Sequence, residues 1–195
     1  AGAKPIVIDA DINTWNLDTT KLESLITPKT VAIMMVHIYS HPADVDKVLE
    51  VAKKYKLSVI EDSAELIGAE YKGKKCGGFG DISTFSFYAN KQITTGEGGM
   101  ITTNDSYLAE RCRSLRNLCF QKNKRFIHEE LGWNYRMTNL QAALGIGQLS
   151  RIEEIIKKKR KIGNLYNQYL RGIKGIKLPL QKTSYSENIY NKILI

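Results

Sequence analysis

The sequence predicts an α/β protein with a mostly parallel sheet flanked by helices. Three observations lead there. Short apolar runs of strand length recur through the first 120 residues, amphipathic stretches of helix length lie between them, and Gly, Pro and Asp bound the runs. Ile6, Val7, Ile8 and Asp9 read as a short first strand. Residues 17–26 read as a helix with Asp18 or Thr19 at its cap, where a side-chain oxygen accepts from the unpaired first N–H groups. Residues 31–36 form a continuous apolar run between Pro28 and Pro42, which suits a parallel strand covered on both faces. Val45, Val48, Leu49, Ala52 and Tyr55 recur at helical spacing, so 44–55 is a helix; Asp44 and Asp46 begin it and Lys53 and Lys54 end it, as the helix dipole favours. Residues 57–60 are the next strand, running into Glu61 and Asp62, and Tyr71, Lys72, Gly73 and Lys74 mark a tight turn. Residues 82–88 alternate as a strand does, and 99–103 form another. Asp105 or Ser106 caps a helix whose stripe is Leu108, Cys112, Leu115 and Cys119, with both cysteines turned to the core. Helix resumes near Thr138 and runs to about Leu170 with a break.

With 195 residues, 43% hydrophobic and 25% charged, the chain holds enough apolar material for one folded domain, which excludes a disordered chain. No run approaches the roughly 18 consecutive apolar residues that span a bilayer, so no membrane partner is expected. The first residues lack a basic-then-apolar export signal and the first is not Met, so the chain reads as starting partway through something longer. Three scattered cysteines, Cys76, Cys112 and Cys119, argue against a disulfide framework and for a cytoplasmic setting. The net charge is +9, and residues 151–195 carry +8 of it. The run Lys157, Lys158, Lys159, Arg160, Lys161 lies on a helical pattern with Ile152, Ile155, Ile156, Ile162, Leu165, Tyr166 and Tyr169, so a solvated helix face is its plain reading. Attraction to an acidic substrate or partner stays open; nucleic acid is not expected, because no recognition motif accompanies the run.

The chemistry narrows by elimination. There is no Walker-type phosphate loop, and Gly96, Gly98 and Gly99 do not complete a dinucleotide fingerprint, because Ile101 holds the last glycine position. His37 and His41 lack a third ligand, so no metal is expected. The informative stretch is 59–100. Asp62 follows a strand that reads as buried and parallel, where α/β proteins place ligand-binding groups. Lys91 follows the next strong strand, and Ser86 lies five residues before it. A lysine can bond an aldehyde, a carboxylate can hold a pyridine nitrogen protonated, and a hydroxyl can donate to a phosphate, so the trio suits a phosphorylated pyridine aldehyde. By residue type and spacing alone, a solvated Lys91 and a helix-capping Asp62 remain open.

The wording of the sequence goes further. Residues 36–44 (Val-His-Ile-Tyr-Ser-His-Pro-Ala-Asp), 61–65 (Glu-Asp-Ser-Ala-Glu), 71–75, 78–91 (Gly-Phe-Gly-Asp through Tyr-Ala-Asn-Lys), 95–100 and 132–143 closely resemble the DegT/DnrJ/EryC1/StrS family. The match is ordered and spans most of residues 1–170. It implies an aspartate-aminotransferase-like fold, present in part, and pyridoxal 5'-phosphate as cofactor. Residues 1–150 would be the central and later part of the large cofactor-binding domain, and 151–195 a linking helix and the start of a small domain. Carried over by position, Lys91 is the lysine that bonds the cofactor and Asp62 the partner of its ring nitrogen. Ser86 is a phosphate ligand and Glu65 a group near the 3-oxygen. Asn134 reaches the phosphate of a neighbouring subunit, which implies a homodimer. A lysine at 91 favours transamination over the dehydration run by relatives with histidine there. The segment 87–99 is most similar to the perosamine-forming members, which implies transfer of an amino group from L-glutamate to GDP-4-keto-6-deoxy-mannose. Relatives are nearly twice as long, and their phosphate loop would precede Ala1. A catalytically incompetent fragment or subunit remnant is therefore the alternative.

Overall fold

The computed structural model describes residues 2–121, 123–124, 126–128 and 130–191. Its elements run α1 (Thr19–Leu22), a 3-10 turn (Glu23–Leu25), β1 (Ala32–Val36), α2 (Val45–Tyr55), β2 (Ser58–Asp62), β3 (Glu70–Tyr71), β4 (Lys74–Lys75), β5 (Ile82–Ser86), β6 (Gly99–Thr102), α3 (Ser106–Leu115), α4 (Asn139–Leu149) and α5 (Ile152–Leu170). The main sheet has the order β1-β2-β5-β6. β1 pairs parallel with β2 and β2 with β5, while β6 returns antiparallel beside β5. The mostly parallel α/β class read from the sequence is the observed one.

Local chemistry explains the well-placed elements. Asp44 caps α2 by accepting from Lys47 N at 3.4 Å, and Lys56 ends it in the left-handed region. Val45, Val48 and Ala52 form its buried stripe against Ile33, Met35 and Val59 of β1 and β2. Burying an aliphatic side chain as large as valine is worth about 2 kcal/mol, which a marginal helix of this length needs. Lys72 and Gly73, both at positive φ, turn the β3–β4 hairpin. Asp105 caps α3 by accepting from Tyr107 N and Leu108 N. Thr138 and Gln141 form a reciprocal capping box at the start of α4, and the chain breaks at Ser150 and Arg151 before α5.

Four expectations need correction. Residues 6–9 form no strand; the segment has only the isolated Ala10–Leu17 bridge, because no neighbouring strand among the described residues offers it a ladder. β1 is covered on one face only: Ile33 and Met35 are buried, whereas Met34 is 60% exposed because nothing in the described residues packs over it. α3 ends at Leu115, so Cys119 is buried by the turn that follows rather than by the helix, and Cys112 is only half-buried. α5 buries Ile156, Gly163 and Asn167, while Ile162, Leu165, Tyr166 and Tyr169 stay exposed. Gly163 sets that face: a Cβ there would lie 2.3 Å from the Tyr190 ring, so only glycine lets the returning tail pack on the helix. Lys157, Lys158 and Lys161 are solvated, as read. The chain's last four residues, 192–195, lie outside the described residues.

Candidate active site

The site lies where β2 and β5 end. Parallel strands β1, β2 and β5 point their C-terminal ends the same way, and such edges are where α/β sheets present ligand groups. Asp62 closes β2 opposite Thr84 of β5, and Ser86 lies two residues further along β5. Side chains alternate along a strand, so Asp62, Thr84 and Ser86 share one face and Glu61 and Ser83 the other. On the first face, Asp62 Oδ1 accepts from Ala64 N at 3.0 Å, and Oδ2 takes no hydrogen bond among the described residues. Ser86 Oγ accepts a long 3.3 Å bond from Tyr88 N, leaving its proton uncommitted.

Lys91 sits on the loop that leaves β5. Its N–H donates to Tyr88 O at 3.0 Å, and the loop is closed by Phe87 N to Gly98 O and Thr95 N to Phe87 O. The Lys91 side chain is 11% exposed and Nζ lies 3.6 Å from Glu65 Oε1, whose side chain is 15% exposed. Glu65 Oε2 accepts from Tyr39 N at 2.9 Å, and Gln92 Nε2 donates to Glu65 O at 2.7 Å. α4 braces the same loop. Gln148 pairs its amide with Thr94 N (3.0 Å) and Thr94 O (2.7 Å), and Gln141 Nε2 donates to Glu97 O at 3.2 Å.

The opposite face of the sheet carries a buried carboxylate. Glu61 is fully enclosed and accepts three bonds on each oxygen: from His37 Nε2 (3.1 Å), Ser63 Oγ (3.2 Å) and Gly77 N (2.6 Å), and from Phe79 N (2.8 Å), Gly80 N (3.2 Å) and Ser83 Oγ (2.9 Å). Burial by itself would raise its pKa. The donation from His37 and from the N–H groups of Gly77 and Phe79 outweighs it and holds the carboxyl at about 2. His37 Nδ1 accepts from Ala43 N at 3.0 Å, so its proton is on Nε2. Glu61 thus pins the 77–80 loop beneath β2 and β5. Gly77 makes the fit possible: it holds φ +92°, and a Cβ would lie 1.9 Å from Phe85 Cζ.

The structure therefore brings together Lys91 and Glu65, and places Asp62 and Ser86 on one face at the adjoining strand ends. Asn134 stands apart: it is exposed, bridges Asn117, and makes no bond to the other four among the described residues. Sequence reasoning passed over Glu61, Asn16, Gln92 and Gln148. A glutamate beside Asp62 at the core-facing register of a buried strand was the available signal for the first; the others carried none. Among the described residues no cluster of three or more His, Cys, Asp or Glu side chains could hold a metal, and no helix is long and apolar enough to cross a membrane.

The family model described as the DegT/DnrJ/EryC1/StrS aminotransferase family matches residues 1–195. A GDP-perosamine synthase of Caulobacter vibrioides is 53% identical over 169 residues, covering 87% of this chain and 46% of that protein. A GDP-perosamine synthase of Escherichia coli O157:H7 is 47% identical over 172 residues, covering 88% and 47%. The solved structure of Helicobacter pylori PseC, an aminotransferase involved in the biosynthesis of pseudoaminic acid, superimposes with a TM-score of 0.91 at 33% identity, covering 98% of this chain and 52% of that one. The chain spans about half the length of the curated relatives it matches.

Proposed function

The chain belongs to the DegT/DnrJ/EryC1/StrS aminotransferase family, and from that premise we propose that it serves a pyridoxal-phosphate-dependent transfer of an amino group from L-glutamate to a nucleotide-linked 4-keto-6-deoxy sugar, with GDP-4-keto-6-deoxy-mannose the favoured acceptor. What supports the proposal is a screened lysine facing one carboxylate, with a second carboxylate and an uncommitted hydroxyl on one face of the adjoining strands β2 and β5. The free Oδ2 of Asp62 suits a protonated ring nitrogen, and the Ser86 proton and the open backbone at Gly96 suit a phosphate. The residues fit the group.

When bound, pyridoxal phosphate supplies an aldehyde that condenses reversibly with amines and a ring that takes up an electron pair. Lys91 Nζ would hold it covalently, Asp62 would hold the ring-nitrogen proton, Ser86 would anchor the phosphate, and Glu65 would stand at the 3-oxygen. With its amine free, Lys91 Nζ would be the base that takes the proton from the donor's α-carbon and carries it across the shared nitrogen. Its low exposure keeps bulk water from competing for that proton.

In this reading residues 1–150 belong to the large cofactor-binding domain, and 151–195 to a linking helix and the start of a smaller one. The protein works as a homodimer in which Asn134 reaches the neighbouring subunit's phosphate. Leu140 (82% exposed), Leu144, Ile146 and Leu149 on α4, with exposed Leu131 and Tyr135 beside Asn134, support a subunit contact there. A cytoplasmic setting accords with three unpaired thiols.

The test is to give the protein pyridoxal phosphate, L-glutamate and either the GDP- or the TDP-linked 4-keto-6-deoxy sugar, and to follow the amino sugar by mass spectrometry. The GDP substrate should be aminated faster. No amination of either would favour the catalytically incompetent remnant.

A further inference from the structure

Asn16 is almost wholly buried, 1% exposed, yet it lies in none of the strands or helices that frame the site. Both ends of its amide reach one turn, and Nδ2 donates a second, longer bond to Thr14 O at 3.3 Å. Oδ1 accepts from Ile38 N at 2.8 Å and Nδ2 donates to His41 O at 2.9 Å, so the side chain closes residues 38–41 from outside, as a neighbouring strand would. That turn, which leaves β1, is unusual. His41 N donates to Ile38 O at 3.2 Å across it, and its two central residues, Tyr39 (φ 49°) and Ser40 (φ 69°), are both left-handed without being glycine. L side chains avoid that conformation, and two in succession persist only where the surroundings over-determine them. Asn16 supplies one restraint. The tail supplies the other: Asn191 N donates to Ser40 Oγ at 2.6 Å and Ile189 N to Ser40 O at 3.3 Å.

The strained conformation has a visible consequence. It aims the Tyr39 N–H at Glu65 Oε2, 2.9 Å away, and leaves Oε1 facing Lys91 Nζ at 3.6 Å. A relaxed, right-handed turn would point that N–H elsewhere. We propose that Asn16 is a positioning residue: by closing the left-handed turn at Tyr39 and Ser40 it fixes the Glu65 carboxylate against Lys91. This rests on the reading of Lys91 as the reacting amine, but the geometry can be tested without the cofactor.

In protein stripped of pyridoxal phosphate, a water-soluble carbodiimide condenses touching carboxylate and amine pairs. A C–N amide bond forms, and one carboxylate oxygen and two of the three ammonium protons leave in the urea product, the third remaining on the amide nitrogen. Mass spectrometry of the digest then measures the Glu65–Lys91 amide against a Lys75–Glu153 reference pair, 2.9 Å apart and joining β4 to α5. The wild type should form both. Asn16→Ala should lower the Glu65–Lys91 yield at least fivefold and leave the reference unchanged. Asn16→Asp, which keeps the acceptor for Ile38 N and loses the donor to His41 O, should fall between them. If Asn16→Ala does not fold, Asn16→Asp carries the test. Absence of the Glu65–Lys91 product in the wild type, or an unchanged yield in the folded variants, overturns the proposal. A protein that never takes up pyridoxal phosphate yet gives the expected yields would fail only the reading of Lys91.

Discussion

Replacing Glu61 by glutamine tests how the site's floor is held. The change is isosteric, so packing is preserved and only hydrogen bonding and charge are altered. The amide nitrogen must take the place of one carboxylate oxygen. In one orientation it meets the Gly77 N–H and the His37 Nε2–H; in the other it meets the N–H groups of Phe79 and Gly80. The serine hydroxyls can rotate to accept, but those pairs cannot. Two buried donors are left facing a donor, at about 1–3 kcal/mol each, for a total of roughly 4 kcal/mol. Linkage gives an independent figure: the carboxyl lies at about 2 in the folded chain against an ordinary 4.5, a gap worth roughly 3 kcal/mol. Because the folded pKa is depressed, this stability is fully present above pH 4.5 and is lost as pH falls toward 2. Urea unfolding followed by circular dichroism should show Glu61→Gln destabilised by about 4 kcal/mol at pH 7, a large share of a domain's stability. It should also lose the pH dependence between 4.5 and 2. A variant within about 1 kcal/mol of wild type at pH 7 would refute the reasoning.

Other consequences are as specific. His41 is buried with neither ring nitrogen hydrogen-bonded among the described residues, and burial, with a smaller contribution from His37, pushes its pKa down to about 4. The unfolded chain binds the proton more readily, so this stability is present above pH 6.5 and is lost as pH falls toward 4, by roughly 3 kcal/mol. His41→Phe should flatten the urea-midpoint profile in that window, and an unchanged slope would count against it. Gly77→Ala, which adds a Cβ against the Phe85 ring at positive φ, should cost more than about 2 kcal/mol in the same assay, whereas Gly73→Ala, with open space at its Cβ, should cost only about 1. On the proposed homodimer reading, Leu144→Lys on the exposed face of α4 should weaken self-association in sedimentation; a dimer of unchanged affinity would place the contact elsewhere.

Much of the frame was legible because local rules and tertiary packing agree. Asp44, Asp105 and Thr138 cap helices where their side-chain chemistry predicts, and the stripe of α2 is the buried one. Lys91 and Asp62 were singled out by the words around them; Asp62 ends β2, and Lys91 lies on the loop beyond β5 with its Nζ facing Glu65. What escaped depends on partners distant in sequence. The 6–9 run has strand composition but no strand to join, and Met34 lies on a face that no described element covers. α5 carries apolar side chains on more than one face, and the tail at Tyr190, through Gly163, decides which one is buried. Asn16 acts on residues 22 and 25 positions away, so no local pattern announces it. Glu61 has the composition of a surface acid; only the convergence of six donors explains its burial.

The most direct measurement is borohydride reduction of the pyridoxal-phosphate-loaded protein followed by peptide mass spectrometry. A single reduced pyridoxyl group on the Lys91 side chain, lost in Lys91→Ala while the fold persists, is the expected result. Label spread over the exposed lysines of α5, or retained in full by Lys91→Ala, would contradict it.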